Sequence, residues 1–216
     1  MVSKPTGSAS VSEGAATVRA GWCGMVMRPV GAVEPLPLVV VRPGGSPVRQ
    51  GEPCGGIWRI EAGLLALEIL DADGRSLLID VLGPGDALGG PEGQPAAWTA
   101  TALRPARLFA LGPRDATTAL AAQCARLTWV ASGFAWFPVA ERVHRRLADL
   151  AARHGRVVPG GVQLPCALTQ DQLASMVGAS RESVNRAVMA MVRAGAIEVR
   201  GRGRYVVRAP LRLVDG

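Results

Sequence analysis

The chain of 216 residues is long enough to bury a core, and its 24 basic and 17 acidic residues give a formal net charge of +7. No run of about 18 apolar residues is present, which excludes a membrane-spanning helix and favours a cytoplasmic location. The four cysteines are far apart and lack CxxC spacing, so we expect reduced thiols.

Residues 1–34 begin with a Ser-, Gly-, Thr- and Ala-rich stretch that predicts a partly mobile tail without a signal-peptide core. From residue 35 to residue 112, short apolar runs alternate with Gly-, Pro- and Asp-rich turns, including turns at 61–63, 71–75 and 83–86. The predicted strands are 38–41, 57–60, 64–70, 76–82, 98–103 and 106–111. This pattern predicts an antiparallel β-roll or sandwich of the jelly-roll type, because few connections are long enough for the crossovers of a parallel sheet.

The segment 113–138 predicts a long helix from about residue 115 to residue 136, which Pro138 separates from a second helix at about 139–154. Residues 127–140 carry no charge. A helix that is apolar on most sides must be buried on most sides, and one roll cannot cover it all round. We therefore interpret it as a dimerisation helix covered by a second copy of the chain; a core helix within one chain is the alternative.

The domain 139–216 contains the most specific pattern, a predicted helix-turn-helix. Thr169 and Gln172 form a capping box at the start of its first helix. Gly178 is predicted to end that helix, because glycine tolerates a left-handed conformation, and Ser180 is a good N-cap for the second helix. Apolar residues recur at helical spacing on the inner face of the second helix, at Val184, Ala187, Val188 and Met191.

The second helix leaves a polar face exposed, and an Arg-rich hairpin at 200–204 follows it. Residues 141–216 hold thirteen arginines and six acidic residues, so the whole net charge of +7 lies there, as is typical of a polyanion-binding domain. Such a helix enters the major groove of DNA, where Arg pairs with guanine and Glu with cytosine. The candidate base-reading residues are Arg181, Glu182, Asn185 and Arg186. An ordinary surface hairpin with solvated charges is the alternative.

In chain order, these pieces resemble the Crp/Fnr family of bacterial transcription regulators. The most specific parts are residues 168–186, the roll segment 49–63 and Gly83-Pro-Gly-Asp86, and the resemblance covers nearly everything after residue 35. It implies an α+β fold, with an N-terminal cyclic-nucleotide-binding-like β-roll, a long dimerisation helix, a hinge at Pro138 and a C-terminal winged helix-turn-helix. It also implies a homodimer on palindromic double-stranded DNA, with RNA polymerase as a further partner.

The resemblance also assigns individual residues. Arg181, Glu182 and Arg186 match the family's base-reading positions. The candidates for phosphate contacts are Thr169, Ser180 and Ser183 by motif position, together with Gln170, Arg200, Arg202 and Arg204.

The effector site departs from the family's pattern. A roll that binds cyclic AMP has a Gly-Glu pair for the ribose and then an Arg-Ser pair for the phosphate, whereas this chain has Gly90 in place of the Glu and Pro95-Ala96 in place of Arg-Ser. Without that Arg the buried phosphate lacks its charge partner, so we predict that cyclic AMP is not the ligand. The remaining effector candidates are Gly89, Gly90, Trp98, Thr128 and Ser132, although helical hydroxyls of this kind commonly bond back into their own helix. We expect Trp129, Phe134 and Trp136 to fill the space between roll and dimerisation helix.

No cofactor or metal is predicted. An iron–sulfur cluster needs four thiolates, and only Cys23 and Cys54 precede the dimerisation helix. His144 and His154 have no partner at metal-ligand spacing, which indicates surface or DNA-proximal residues. Cys23 or Cys54 is the candidate for a redox-sensing thiol, and burial among apolar residues is the other interpretation for Cys54 and Cys124.

Two function classes remain. The first is a homodimeric DNA-binding transcription regulator. The second is a sensory module that responds to a small molecule or redox signal and whose output is contact with another protein. The polar helix face beside a basic hairpin favours the first. An enzyme is not expected, because the chain shows no nucleophile–base pair, no phosphate-cradling loop and no metal-ligand cluster.

Overall fold

The computed structural model describes residues 38–208, so the predicted tail and Cys23 lie outside the described residues. Among the helices described, none is both long and apolar enough to cross a bilayer. In chain order the elements are β1 (Leu38–Val41), β2 (Ile57–Leu70), β3 (Ser76–Leu82), β4 (Ala87–Gly89), β5 (Thr99–Ala110), α1 (Pro113–Trp136), α2 (Val139–His154), β6 (Arg156–Val158), β7 (Gly161–Gln163), α3 (Gln170–Val177), α4 (Arg181–Arg193), β8 (Ile197–Arg200) and β9 (Arg204–Val207).

The N-terminal half is the predicted antiparallel roll. Its strands lie in the order β1-β5-β2-β3, β4 pairs with the start of β2, and all of these ladders are antiparallel. Large apolar side chains close the inside of the roll, including Ile60, Leu65, Leu67, Leu82, Leu88 and Leu108.

Two of the predicted strand breaks are wrong. The expected turn at 61–63 is a bulge inside β2, and the expected gap around Pro105 is a bulge inside β5. Gly63 has φ +98°, and a Cβ there would lie 2.4 Å from the carbonyl oxygen of Pro105. Glycine therefore lets the two strands pass at close range, and the proline, which has no N–H to donate, sits at the irregularity. The short strand β4 has no counterpart among the predicted strands.

The middle of β2 is buried on both faces, which explains its continuous apolar run. Leu65 and Leu67 point into the roll, whereas Leu64 and Ala66 belong to a second core shared with the C-terminal domain. In that second core the roll meets Leu147 of α2 and other side chains of α2, α3 and α4. Roll and C-terminal domain are thus joined by a common apolar interior.

The two predicted helices around Pro138 are confirmed. Phe137 and Pro138 are both extended and link α1 to α2 at the predicted hinge. The helices differ in burial within the described part of the chain: α1 has no buried residue there, whereas α2 buries one face, including Val143, Leu147 and Leu150.

One interpretation of the second helix is wrong. His154, expected at the surface or near DNA, has only 4% of its side chain exposed, and its Nε2 lies 2.8 Å from Asp86 Oδ2 of the roll. It therefore belongs to the contact between roll and C-terminal domain.

Candidate nucleic-acid interface

The local signals of the helix-turn-helix are confirmed. Thr169 Oγ1 accepts from the backbone N–H of Gln172 at 3.1 Å, and the Gln172 side chain accepts from the backbone N–H of Thr169 at 2.9 Å. Gly178 adopts φ +58° at the end of α3, and Ser180 Oγ accepts from Ser183 N at the start of α4. These caps satisfy backbone groups that the turn would otherwise leave unpaired, so they stabilise the end of α3 and the start of α4.

Helix α4 separates its faces as the spacing predicts. Val184, Ala187 and Val188 are buried against the domain core, while Met191 is partly buried. The four candidate base-reading residues are exposed together on the opposite side: Arg181, Glu182, Asn185 and Arg186.

Hydrogen bonds within the domain orient side chains of this exposed face in the absence of DNA. Gln170 Nε2 donates to Asn185 Oδ1 at 3.1 Å, and Arg186 Nη2 donates to Ser183 Oγ at 3.2 Å. The pKa of the Glu182 carboxyl is below its ordinary value, because its own backbone N–H and the Ser180 hydroxyl bond to it. Glu182 is therefore an ionised acceptor at neutral pH.

The predicted Arg-rich hairpin is a wing formed by β8 and β9. Gly203, with φ +74°, approaches so closely that a Cβ would lie 2.3 Å from the carbonyl oxygen of Leu168, and Leu168 N donates to Gly203 O at 2.8 Å. The wing is thereby fastened to the start of the helix-turn-helix. Arg202 and Arg204 are exposed at its tip.

Arg200 differs from the other two wing arginines. Its Nε donates to Glu198 Oε1 at 2.7 Å, and the pKa of Glu198 falls to about 2 because Arg200 and Arg208 both donate to it. Of the three wing arginines, Arg202 and Arg204 are the ones with no ion pair among residues 38–208.

A groove of about 1030 Å³ lies between α4 and the wing, and it brings base-reading and phosphate candidates together. Met189 (47% exposed) and Val199 (39% exposed) also line it, and neither is a predicted site residue. Met189 stands one helical turn after Asn185 on the same face, which is the signal that the sequence offers for it. The groove lining includes Thr169, Gln170, Arg181, Asn185, Gly201 and Arg202.

The loop that corresponds to a cyclic nucleotide site is closed around Cys54. Cys54 N donates to the carbonyl oxygen of Gln94, and Gly93 N donates to Cys54 O. A Cβ on Gly90 would lie 3.2 Å from Cys54 Sγ, so any larger side chain at this position would crowd the thiol. Gly89 ends β4 with φ +107°, and Trp98 packs against the roll core.

The two candidate hydroxyls on α1 bond within their own helix. Thr128 Oγ1 donates to Cys124 O at 3.0 Å, and Ser132 Oγ donates to Trp129 O at 2.8 Å. Neither hydroxyl donates to a group of the roll in the part of the chain that is described.

The prediction that α1 aromatics fill the space beside the roll is wrong. Trp136 is 74% exposed, and the Phe134 ring lies against Gly178 of the turn. Trp129 lies under the guanidinium of Arg145 on α2, 4.8 Å from the ring centre. Trp129 and Phe134 thus face the C-terminal domain, where Arg145 and Arg142 of α2 lie over their rings and can attract the ring faces.

The cysteines differ in environment. Cys54 is buried as predicted, and burial raises the pKa of its thiol, which disfavours the reactive thiolate. Cys124, also predicted to be buried, is exposed on α1 within one chain. Burial raises the pKa of Cys166 to about 11.

A recognition helix beside a basic wing, joined through a hinge to a long helix and a nucleotide-type roll, defines a DNA-binding transcription regulator. Family models agree: the cyclic nucleotide-binding domain matches residues 38–123, and the Crp-like helix-turn-helix domain matches residues 141–215. The chain belongs to the Crp/Fnr family of transcription regulators.

Known proteins support this assignment. The chain is 29% identical over 171 residues to the CRP-like cAMP-activated global transcriptional regulator of Mycobacterium tuberculosis, covering 71% of this chain and 76% of the relative. It is 26% identical over 178 residues to the cAMP-activated global transcriptional regulator Vfr of Pseudomonas aeruginosa, covering 72% and 82%.

Solved structures show the same architecture. A Crp/Fnr-family regulator from Thermus thermophilus has a TM-score of 0.68 at 26% identity, covering 79% of this chain and 92% of that chain. FixK2 from Bradyrhizobium japonicum shares the fold, with a TM-score of 0.70 at 18% identity over 83% and 96% of the two chains.

Proposed function

We propose that the protein is a homodimer that binds a palindromic DNA site, places α4 of each protomer in the major groove, and does so without cyclic AMP. The observation that carries this proposal is one exposed face of α4 that holds all four base-reading candidates, Arg181, Glu182, Asn185 and Arg186. Two of them, Arg181 and Asn185, also line the groove beside the wing. RNA polymerase is the further partner that we propose for such a regulator.

Each part of the interface has a distinct chemical role. Arg181 and Arg186 can donate two parallel hydrogen bonds to guanine, and the ionised Glu182 can accept from a cytosine amino group. Arg202 and Arg204 supply positive charge for the phosphate backbone, which raises affinity for any sequence. Base reading and anchoring are thus assigned to different side chains.

The proposed dimer rests on the uncovered surface of α1. Residues at a 4-3-4 spacing form one stripe, termed the α1 seam: Leu120, Cys124, Leu127 and Ala131. This is the repeat by which two parallel helices supercoil. Among residues 38–208 of one chain, nothing buries any residue of α1, although the helix has Arg126 as its one charge after Asp115. A second α1 related by twofold symmetry would cover the seam.

The independence from cyclic AMP rests on the closed loop at residues 88–98. The ribose acceptor and the phosphate-binding Arg of the family pattern are replaced by Gly90 and Pro95, and Cys54 occupies the adjacent space. A ligand shifts an equilibrium only by its differential affinity for two states. The relatives from Mycobacterium tuberculosis and Pseudomonas aeruginosa are cAMP-activated regulators, so this loop marks the proposed difference from them.

Calorimetric titration tests this difference. We expect no heat of binding with cyclic AMP or cyclic GMP at micromolar concentration, because a bound phosphate would lack its charge partner. The affinity for a selected DNA site should be the same with and without nucleotide, and that DNA titration also shows that the protein sample is active. Micromolar nucleotide affinity with a large nucleotide-dependent gain in DNA affinity would refute the proposal.

A further inference from the structure

Two carboxylates of the roll and two arginines from different helices form a closed ring of ion pairs. Arg126 of α1 reaches Asp80 at 3.1 Å (Nη2–Oδ2) and Asp86 at 2.9 Å (Nη1–Oδ1). Arg153 of α2 reaches the same carboxylates, Asp80 at 2.9 Å (Nη2–Oδ1) and Asp86 at 3.1 Å (Nη1–Oδ2). These four residues are termed the charge ring.

The charge ring is largely removed from water. Side-chain exposure runs from 1% for Asp80 to 19% for Arg153. Burial opposes the charge of Asp86, but hydrogen bonds from His154 and Gly83 N and the two ring arginines outweigh it and hold its pKa below the ordinary value. Burial likewise opposes the charge of Arg153, yet the neighbouring carboxylates raise its pKa. Both shifts favour the charged forms of Asp86 and Arg153 at neutral pH, and ion pairs buried in this way are only weakly screened by salt.

The ring spans the hinge. Arg126 precedes Phe137 and Pro138 in the chain, whereas Arg153 follows them, and both arginines converge on the same two carboxylates. Swinging α2 relative to α1 would separate at least one arginine from the roll. A buried charge that loses its partner is strongly unfavourable, so one hinge angle is favoured over the others.

A further contact locks α2 to the roll. Arg146 Nη2 donates to the carbonyl oxygen of Ile79 at 2.5 Å and lies 3.3 Å from Asp80 Oδ1. On α3, Ser175 Oγ accepts from Leu78 N at 2.7 Å. These contacts hold the C-terminal domain against the roll independently of Arg126. Arg126 is the member of the charge ring that belongs to α1.

We propose that Asp80 and Asp86 are positioning residues for DNA binding: through the charge ring they fix the angle between α1 and the winged domain, and hence the separation of the two recognition helices, without a ligand. The inference rests on the proposed dimeric DNA binding. It assigns to buried ion pairs the task that an effector performs when a ligand selects between hinge states.

The variant Arg126→Met removes the arginine by which α1 joins the charge ring, while Asp80 and Asp86 remain paired with Arg153. Fluorescence anisotropy would measure its affinity for the selected palindrome and for palindromes whose spacer is two base pairs longer or shorter. Wild-type protein should bind one spacing more tightly than the other two. The ratio of its affinities for the preferred and the altered spacings should fall about 5- to 150-fold in Arg126→Met, the usual range for coupling between sites. Asp80→Asn should do the same, and Asp80→Glu should retain most of the preference.

The matched control is Arg107→Met, which removes an exposed pair between Arg107 Nε and Glu61 Oε2 at 3.1 Å. Spacing preference, affinity and melting temperature should remain at wild-type values in this control, because exposed pairs contribute little. If Asp80→Asn does not fold, Arg126→Met decides the question. A folded, dimeric Arg126→Met with the wild-type spacing preference would overturn the inference. Wild-type protein that selects no palindrome of any spacing would instead refute the proposed function.

Discussion

Replacing Leu127 by Asp should convert the dimer into a monomer and abolish tight binding to the palindrome. In the proposed dimer two copies of Leu127 face each other in the α1 seam, and burying each is worth about 1.5–3 kcal/mol. Losing both weakens dimerisation by about 3–6 kcal/mol, on the order of 10²–10⁴-fold, before the repulsion of two carboxylates is counted. Sedimentation equilibrium measures the dimer constant, and a DNA titration measures the consequence.

The control for this variant is Leu70→Asp, at an exposed leucine (46%) at the end of β2. It adds the same charge away from α1 and should remain dimeric. In the wild-type dimer Cys124 also faces its own copy across the seam, so mild oxidation of a variant with Cys124 as its sole cysteine should cross-link the protomers. Dimers of Leu127→Asp that retain wild-type DNA affinity would show that the interface lies elsewhere.

Arg186→Ala should reduce affinity for the selected site by about 1–3 kcal/mol and relax the preference at one base position, because it removes a proposed guanine contact. Arg202→Ala, in the wing, should weaken binding to all DNA sequences alike. It should also lower, by about one, the slope of log affinity against log salt concentration. Titrations of selected and random DNA at several salt concentrations separate the two effects. Identical behaviour of both variants on both kinds of DNA would refute the assignment of base recognition to Arg186 and of phosphate contact to Arg202.

Features with a local cause could be predicted from the sequence. The capping box at Thr169, the left-handed Gly178 and the cap at Ser180 each depend on residues within a few positions, and all three are observed. The helical spacing of α4 likewise predicts its buried and exposed faces correctly. The same local reasoning fails at Gly63, because a glycine that allows close strand passage resembles a turn glycine.

Features that depend on residues far apart in the chain could not be predicted. Arg153 lies 73 positions from Asp80 and Arg126 lies 40 from Asp86, so no local pattern indicates that these arginines are buried partners of the roll. The burial of His154 escapes prediction for the same reason. The excess of arginine in residues 141–216 therefore overstates the charge available to DNA, because Arg146 and Arg153 are held inside the protein.

Selection of binding sites from random double-stranded DNA tests the central claim most directly. With the full-length protein and no added nucleotide, the enriched sequences should contain a palindrome with half-sites about 34 Å apart, one turn of the double helix, each protected in footprinting. By resemblance to the family, each half-site should contain a TGA core. Enrichment of no palindrome, or of a palindrome only when cyclic AMP is added, would contradict the account.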